Sequence, residues 1–151
     1  MGINEQLVSL IKDMTRVDQD LRLKAKDGQE LLNHLIYLVD TSHNYRIHKL
    51  INDTGYPSTS LVGSETMKDF WLLIQHQDYD PSLQQACLEN CDFGPKEKAF
   101  LTDRICMNNN LPQLYGTQYK LIDGVRSLYD IKDLAKVNTL RESVGLPPLI
   151  K

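Results

Sequence analysis

The sequence predicts a mainly α fold: a single helical domain over residues 1–151 with a small C-terminal β-hairpin. Three observations carry that expectation. Apolar residues recur at three- and four-residue spacings through most of the chain, as on one face of a helix. Gly and Pro punctuate these runs at Gly55–Pro57, Asp80-Pro81, Gly94-Pro95 and Pro147-Pro148. Near the C-terminal end, Asp123-Gly124 separates two short mixed runs, which is a two-residue hairpin signal.

The first helix is expected from Asn4 to about Lys26, with Leu7, Leu10, Ile11, Met14, Val17 and Leu21 as its stripe and Asp27-Gly28 as its end. A second runs from about Gln29 to Asn52, with a break expected in the polar stretch Asp40 to Tyr45. Residues 52–63 read as loop, since Gly55 can end a helix and Pro57 cannot continue one. Ser64 is the expected N-cap of a helix carrying Met67, Phe70, Trp71 and Ile74. Pro81 suits the first turn of a short helix lined by Leu83 and Cys87, and another helix spans about Lys96 to Met107. The hairpin follows, from Gln118–Ile122 and Val125–Tyr129, and a last helix capped by Asp130 or Asp133 runs to Val144.

Composition narrows the functional classes. Acidic and basic residues nearly balance, at a formal charge of -3, and no Lys/Arg run forms a stripe. A nucleic-acid surface needs clustered positive charge, so none is expected. No run approaches 18 apolar residues, so no membrane span is expected, and the first residues lack a signal-peptide core. The three cysteines are an odd number in a chain large enough to build a core, which reads as buried thiols in a reducing, cytoplasmic setting. Secretion by a route needing no leader stays open.

The chemistry-bearing residues cluster in three segments. In Trp71 to Asp80 (WLLIQHQDYD), a helical wheel puts Trp71, Gln75 and Asp78 near one face and His76 on the next. Gln75 beside His76 offers a donor and an acceptor next to the side chain that titrates near neutrality. Alternatively, the pair belongs to a helix-end network bonded to backbone. Asp103-Arg104 is the second segment: Arg104 and Asn108 are four apart and can act together, and Arg clamps carboxylate or phosphate. The bland alternative is an exposed ion pair. Asp18 and Arg22, also four apart, read first as a helix-face ion pair and second as lining of a cleft. In the third segment, residues 112–118 (PQLYGTQ), Gln113, Tyr115 and Thr117 surround Gly116 in a loop without the glycine spacing of a phosphate or dinucleotide site.

His76, Asp78 and Asp80 offer part of a divalent-metal site, yet an EF-hand is not expected. Leu83 stands where its sharp turn needs Gly, and Pro81 starts a helix. No cofactor is required by the sequence. There is no nucleophile elbow and no His-Glu-x-x-His, and His43 and His48, five apart, do not share a helix face as ligands four apart do.

Taken together, GYPSTSLVG (residues 55–63), WLLIQHQDYDPSLQ (71–84), LTDRICMNNNLPQLYGTQ (101–118) and VGLPPL (144–149) resemble DUF6624, a family of bacterial domains of unknown function. The resemblance implies one polar site assembled from three segments. It marks Asp18, Arg22, Pro57, Val62, Gly63, Trp71, Gln75, His76, Asp78, Gln84, Asp103, Arg104, Gln113, Leu114, Tyr115, Gly116, Thr117 and Gln118. It brings no reaction with it.

The leading expectation is a cleft for a small molecule or peptide end with acid–base chemistry, such as a hydrolase. In it His76 is the base or acid, oriented by Asp78 or Asp103. Arg104 and Arg22 hold an anionic group, and Gln75 and Gln113 orient the substrate. Two alternatives stand beside it. One is a non-catalytic module that binds a ligand or protein partner; the other is a structural domain fastened by a buried polar network.

Overall fold

A computed structural model of the chain describes residues 2–25 and 30–149. The described residues form seven helices and one two-stranded antiparallel sheet. The chain divides into two compact units, Met1–Gln77 with Asn90–Asp92, and Asp78–Glu89 with Phe93–Lys151.

Unit 1 is built on α1 (Glu5–Lys24), α2 (Glu30–Thr54), α3 (Thr59–Val62) and α4 (Ser64–Gln75). Asn4 caps α1 by accepting the Leu7 amide at 3.0 Å. The expected helix end at Asp27-Gly28 lies outside the described residues. α1 packs against α2 and α4, and α3 touches α1 and α4.

The buried face of α1 is Leu7, Ile11, Met14, Thr15 and then Asp18, while Val17, expected in the apolar stripe, is exposed. One helix face thus changes from hydrocarbon to carboxylate along its length. α2 does the same in the opposite direction, since its buried residues are His43, Ile47 and Leu50. This helix is continuous across residues 40–45, against the expected break. Residues 30–54 contain no Gly or Pro, and polar residues alone do not interrupt the hydrogen-bond ladder. α4 buries Met67, Phe70, Leu73 and Ile74, each worth about 1.5–3 kcal/mol against full exposure.

Two boundaries differ from expectation. The predicted loop of residues 52–63 contains the single turn α3, whose first amide, Thr59 N, is bonded by both Asp92 carboxylate oxygens at 2.9 and 3.0 Å. The N-cap of α4 is Gly63, and Ser64 is already helical, because the Gly63 carbonyl accepts the Met67 amide.

Unit 2 holds most of α5 (Pro81–Asn90), then α6 (Pro95–Asn108), β1 (Tyr119–Ile122), β2 (Val125–Leu128) and α7 (Val137–Ser143). Asp80 accepts the Leu83 amide at 3.1 Å and starts α5; Pro95 stands in the first turn of α6. Cys87 is buried on α5, and Cys91, also buried, lies just beyond its end.

The hairpin pairs Tyr119 with Leu128 and Ile122 with Val125. Its turn residues, Asp123 and Gly124, sit at φ 51° and 77°, a pair of left-handed residues whose twist matches that of the strands. α7 begins later than expected. Asp133 accepts the amides of Ala135 and Lys136 at 3.1 and 3.2 Å, which makes a turn before the helix rather than its first residue.

Candidate functional site

The polar end of unit 1 gathers side chains from three helices. Asp18, only 2% exposed, lies on α1 one turn before Arg22. Arg22 Nε donates to Asp18 Oδ1 at 2.9 Å, and its Nη2 donates to both oxygens of Asp40 on α2, at 2.7 and 2.8 Å. His76, the C-cap of α4, brings Nδ1 within 2.9 Å of Asp18 Oδ2. Gln19 Nε2 adds a third donor to Asp18 at 2.8 Å.

The tautomer of His76 follows from its neighbours. Arg22 Nε lies 3.0 Å from His76 Nδ1, but it carries one hydrogen, which Asp18 Oδ1 accepts. An ionised carboxylate can only accept, so Nδ1 must supply the hydrogen between His76 and Asp18. A neutral His76 then carries its lone pair on Nε2. Among the described residues, the side-chain hydrogen bonds of His76 are all at Nδ1, and the side chain is 19% exposed.

Burial pushes the Asp18 carboxyl up, but the hydrogen bond and charge of His76, then Gln19 and Arg22, outweigh it and hold the group below the usual range. Asp40 goes the other way. Burial, helped by the Asp18 charge, lifts it above the usual range despite Arg22. His43, 4% exposed and one turn along α2 from Asp40, is pushed down by burial, with opposing effects from Asp18 and from Arg46 and Arg22.

Unit 2 carries a second network. Arg104 clamps Asp78 through Nε and Nη2 at 2.7 and 2.6 Å, and its Nη1 donates to Gln118 Oε1 at 3.0 Å. Asn108, one turn along α6, donates to Asp78 and Gln84 at 3.0 Å each. The fully buried Asp103 accepts the backbone amides of Leu114, Tyr115 and Thr117 and the Thr117 hydroxyl, all between 2.8 and 3.2 Å. Gln113, also fully buried, exchanges bonds with the Gln118 backbone and donates to Tyr129 O. Arg141 Nε donates to Pro147 O at 2.6 Å, and its Nη1 to Tyr115 O at 2.6 Å and Gly116 O at 3.3 Å. The loop of residues 113–118 is therefore held from both sides by buried polar groups.

A family model described as a family of unknown function (DUF6624) matches residues 5–151. The chain belongs to the DUF6624 family. No curated protein and no solved structure matches it.

In this DUF6624 chain the residues expected in one cleft fall into the two units. Asp18, Arg22, Trp71, Gln75 and His76 lie in unit 1; Asp78, Asp103, Arg104, Gln113, Tyr115 and Thr117 lie in unit 2. The wheel joining Trp71, Gln75 and Asp78 does not extend that far, because α4 ends at Gln75. Within unit 1, Asp18, Arg22 and His76 meet directly; within unit 2, Arg104 and Asn108 meet on Asp78 as their spacing suggested. Both guanidinium groups already grip carboxylates, which leaves less of either for a bound anion. Among the described residues, no group of three or more His, Cys, Asp or Glu side chains is placed to hold a metal ion. The three cysteines are free, and burial pushes the Cys106 thiol up. No helix described is long and apolar enough to cross a membrane.

Sequence reasoning missed Asp40 and Arg141. The signal for Asp40 was present: Asp40 and His43 continue the Ile47 and Leu50 face at helical spacing, and a polar interruption of a stripe marks polar groups turned inward. Nothing in the sequence flags Arg141, whose partners are backbone carbonyls.

Proposed function

We propose that this DUF6624 protein is an acid–base enzyme of the hydrolase type, acting on a small molecule or peptide end through Asp18 and His76. The observation that carries the reading is the buried Asp18 carboxylate bonded at 2.9 Å to His76 Nδ1. That bond fixes the neutral tautomer with its basic nitrogen at Nε2, and it stabilises the imidazolium formed when Nε2 takes a proton. Nε2 removes a proton from water or a substrate O–H or N–H and returns it to the leaving group. Arg22, tied to Asp18 and Asp40, holds the carboxylates in register. Three free thiols fit a reducing, cytoplasmic setting.

The test is turnover of p-nitrophenyl acetate and alanine p-nitroanilide by wild type, His76→Gln and Asp18→Asn. The reading expects turnover by wild type, its loss in His76→Gln at an unchanged melting temperature, and a weaker residual rate in Asp18→Asn. Turnover untouched by His76→Gln, or absent from wild type, would sink it and favour a non-catalytic binding module.

For unit 2 a different observation favours fastening. Asp103 and Gln113 are fully buried and their bonds go to the backbone of the loop, the arrangement of a structural network.

A further inference from the structure

His43 stands apart from the other members of the unit 1 cluster. The residue is 4% exposed, and its Nδ1 atom is buried without a hydrogen-bond partner among the described residues. Leaving a buried polar atom unsatisfied costs about 1–3 kcal/mol, and a leucine at this position of α2 would incur no such cost. The apolar side chains Ile47 and Leu50 occupy the same helix face, so the fold itself does not call for an imidazole here. A polar group kept at a stability cost, one turn along α2 from the Asp40 that Arg22 grips, points to something that bonds it in the working state.

The cluster narrows what that partner is. Arg22 donates to Asp18 and Asp40, and Gln19 and His76 donate to Asp18, so the carboxylates are already served. Nitrogens of the cluster without a hydrogen bond among the described residues include His76 Nε2, His43 Nδ1 and Arg22 Nη1. A neutral imidazole with its hydrogen on Nε2 offers a lone pair at Nδ1. In that tautomer of His43 the two imidazole nitrogens are acceptors, and a ligand answering both presents N–H or O–H hydrogens. An added anion would meet two carboxylates that already take Nε and Nη2 of their shared guanidinium, which leaves it Nη1.

We propose that His43 is a ligand-contacting residue of the Asp18–His76 site, its Nδ1 accepting a hydrogen bond from an amine or hydroxyl group of the bound molecule. This rests on the acid–base reading above and names the chemistry of its substrate. Arg22, His76 and Asp40, at 27%, 19% and 13% side-chain exposure, give the cluster a side open to solvent. His43 contributes recognition, and His76 proton transfer.

The experiment is a titration of the intact protein with ethanolamine, with acetate as control, followed through the ring nitrogens of its histidines by NMR. Wild type, His43→Leu, His43→Asn and His76→Gln are compared, and their melting temperatures are measured. Ethanolamine is expected to shift the His43 Nδ1 signal of wild type, and acetate is not. His43→Leu should bind ethanolamine about tenfold more weakly, the loss of one hydrogen bond, while melting at the same or a higher temperature. His43→Asn, whose amide oxygen reaches close to the place of Nδ1, should keep most of the affinity. Unchanged affinity in His43→Leu, a response to acetate instead, or no response from wild type overturns the proposal. So does a lower melting temperature in His43→Leu with affinity kept, the sign of a buried water bonded to Nδ1. A His43-dependent shift that persists in His76→Gln while that variant keeps full turnover would instead sink the catalytic reading and leave the contact standing.

Discussion

Asp18 and His76 are 58 residues apart, yet the carboxylate oxygen of one lies 2.9 Å from the ring nitrogen of the other. The contact exists because α1 turns the same face to its neighbours along its whole length, and that face changes from Leu7, Ile11 and Met14 to Asp18. The apolar part fixes the register of the helices, and the register sets the polar part. A buried carboxylate held in this way is costly unless every lone pair is served, and here three side chains serve it.

The first prediction concerns acid. The folded-state Asp18 carboxyl lies below its unfolded value of 3.8, so its stabilisation is complete above that value and is lost as pH falls through the lower folded one. Asp18→Asn should be destabilised by about 2–4 kcal/mol at pH 7, since three donors lose an ionic acceptor. Below pH 3.8 the gap between wild type and variant should shrink. Urea midpoints measured across pH check this, and a gap constant through the acid range would contradict it.

Arg22 lies between two carboxylates, and its planar fork spans them as an ammonium cannot. Arg22→Lys should therefore cost about 1–2 kcal/mol and Arg22→Met about 2–3, with partial exposure of the guanidinium limiting both. Asp40 is lifted by burial, so removing its charge beside Arg22→Met should be a relief. The double variant Arg22→Met with Asp40→Asn is expected to be more stable than Arg22→Met alone, by chemical denaturation.

The sequence makes much of this fold legible, and for definite reasons. Helical periodicity is a local signal, so α1, α4, α5 and α6 emerge from apolar spacing and from Pro81 and Pro95 in the first turns. Asp123-Gly124 specifies its hairpin because only that backbone twist suits both strands. The site is less legible because its contacts are long-range. Asp18 with Arg22 can be read from a spacing of four, whereas Asp40 with Arg22 depends on how two helices pack. The polar stretch 40–45 reads locally as a break because the partner of Asp40, Arg22, lies elsewhere in the chain.

In unit 2, Asp103 is predicted to hold the loop rather than to set chemistry. Asp103→Asn would turn an amide hydrogen towards backbone N–H groups that now share one carboxylate. A loss of about 2–4 kcal/mol is expected. Amide hydrogen exchange at Leu114, Tyr115 and Thr117 should accelerate more than exchange in α1. Equal acceleration throughout the chain would place the effect on global stability instead.

Gly116 offers the sharpest test of how that loop is seated. Its φ of 67° is left-handed, and a Cβ built there would stand 2.6 Å from Leu149 Cδ2 and 3.3 Å from Ile131 Cδ1. Two separate costs follow, backbone strain and a clash with packed side chains, so Gly116→Ala should lose about 2–3 kcal/mol. Leu149→Ala introduced beside it removes the closest clash and leaves the strain. The double variant should therefore lose less than the two single losses added together. Strict additivity in urea unfolding would mean that Leu149 does not pack over the loop. An asparagine at 116, better suited to the left-handed region, should relieve strain but keep the clash, so pairing it with Leu149→Ala should recover more stability than the alanine pair.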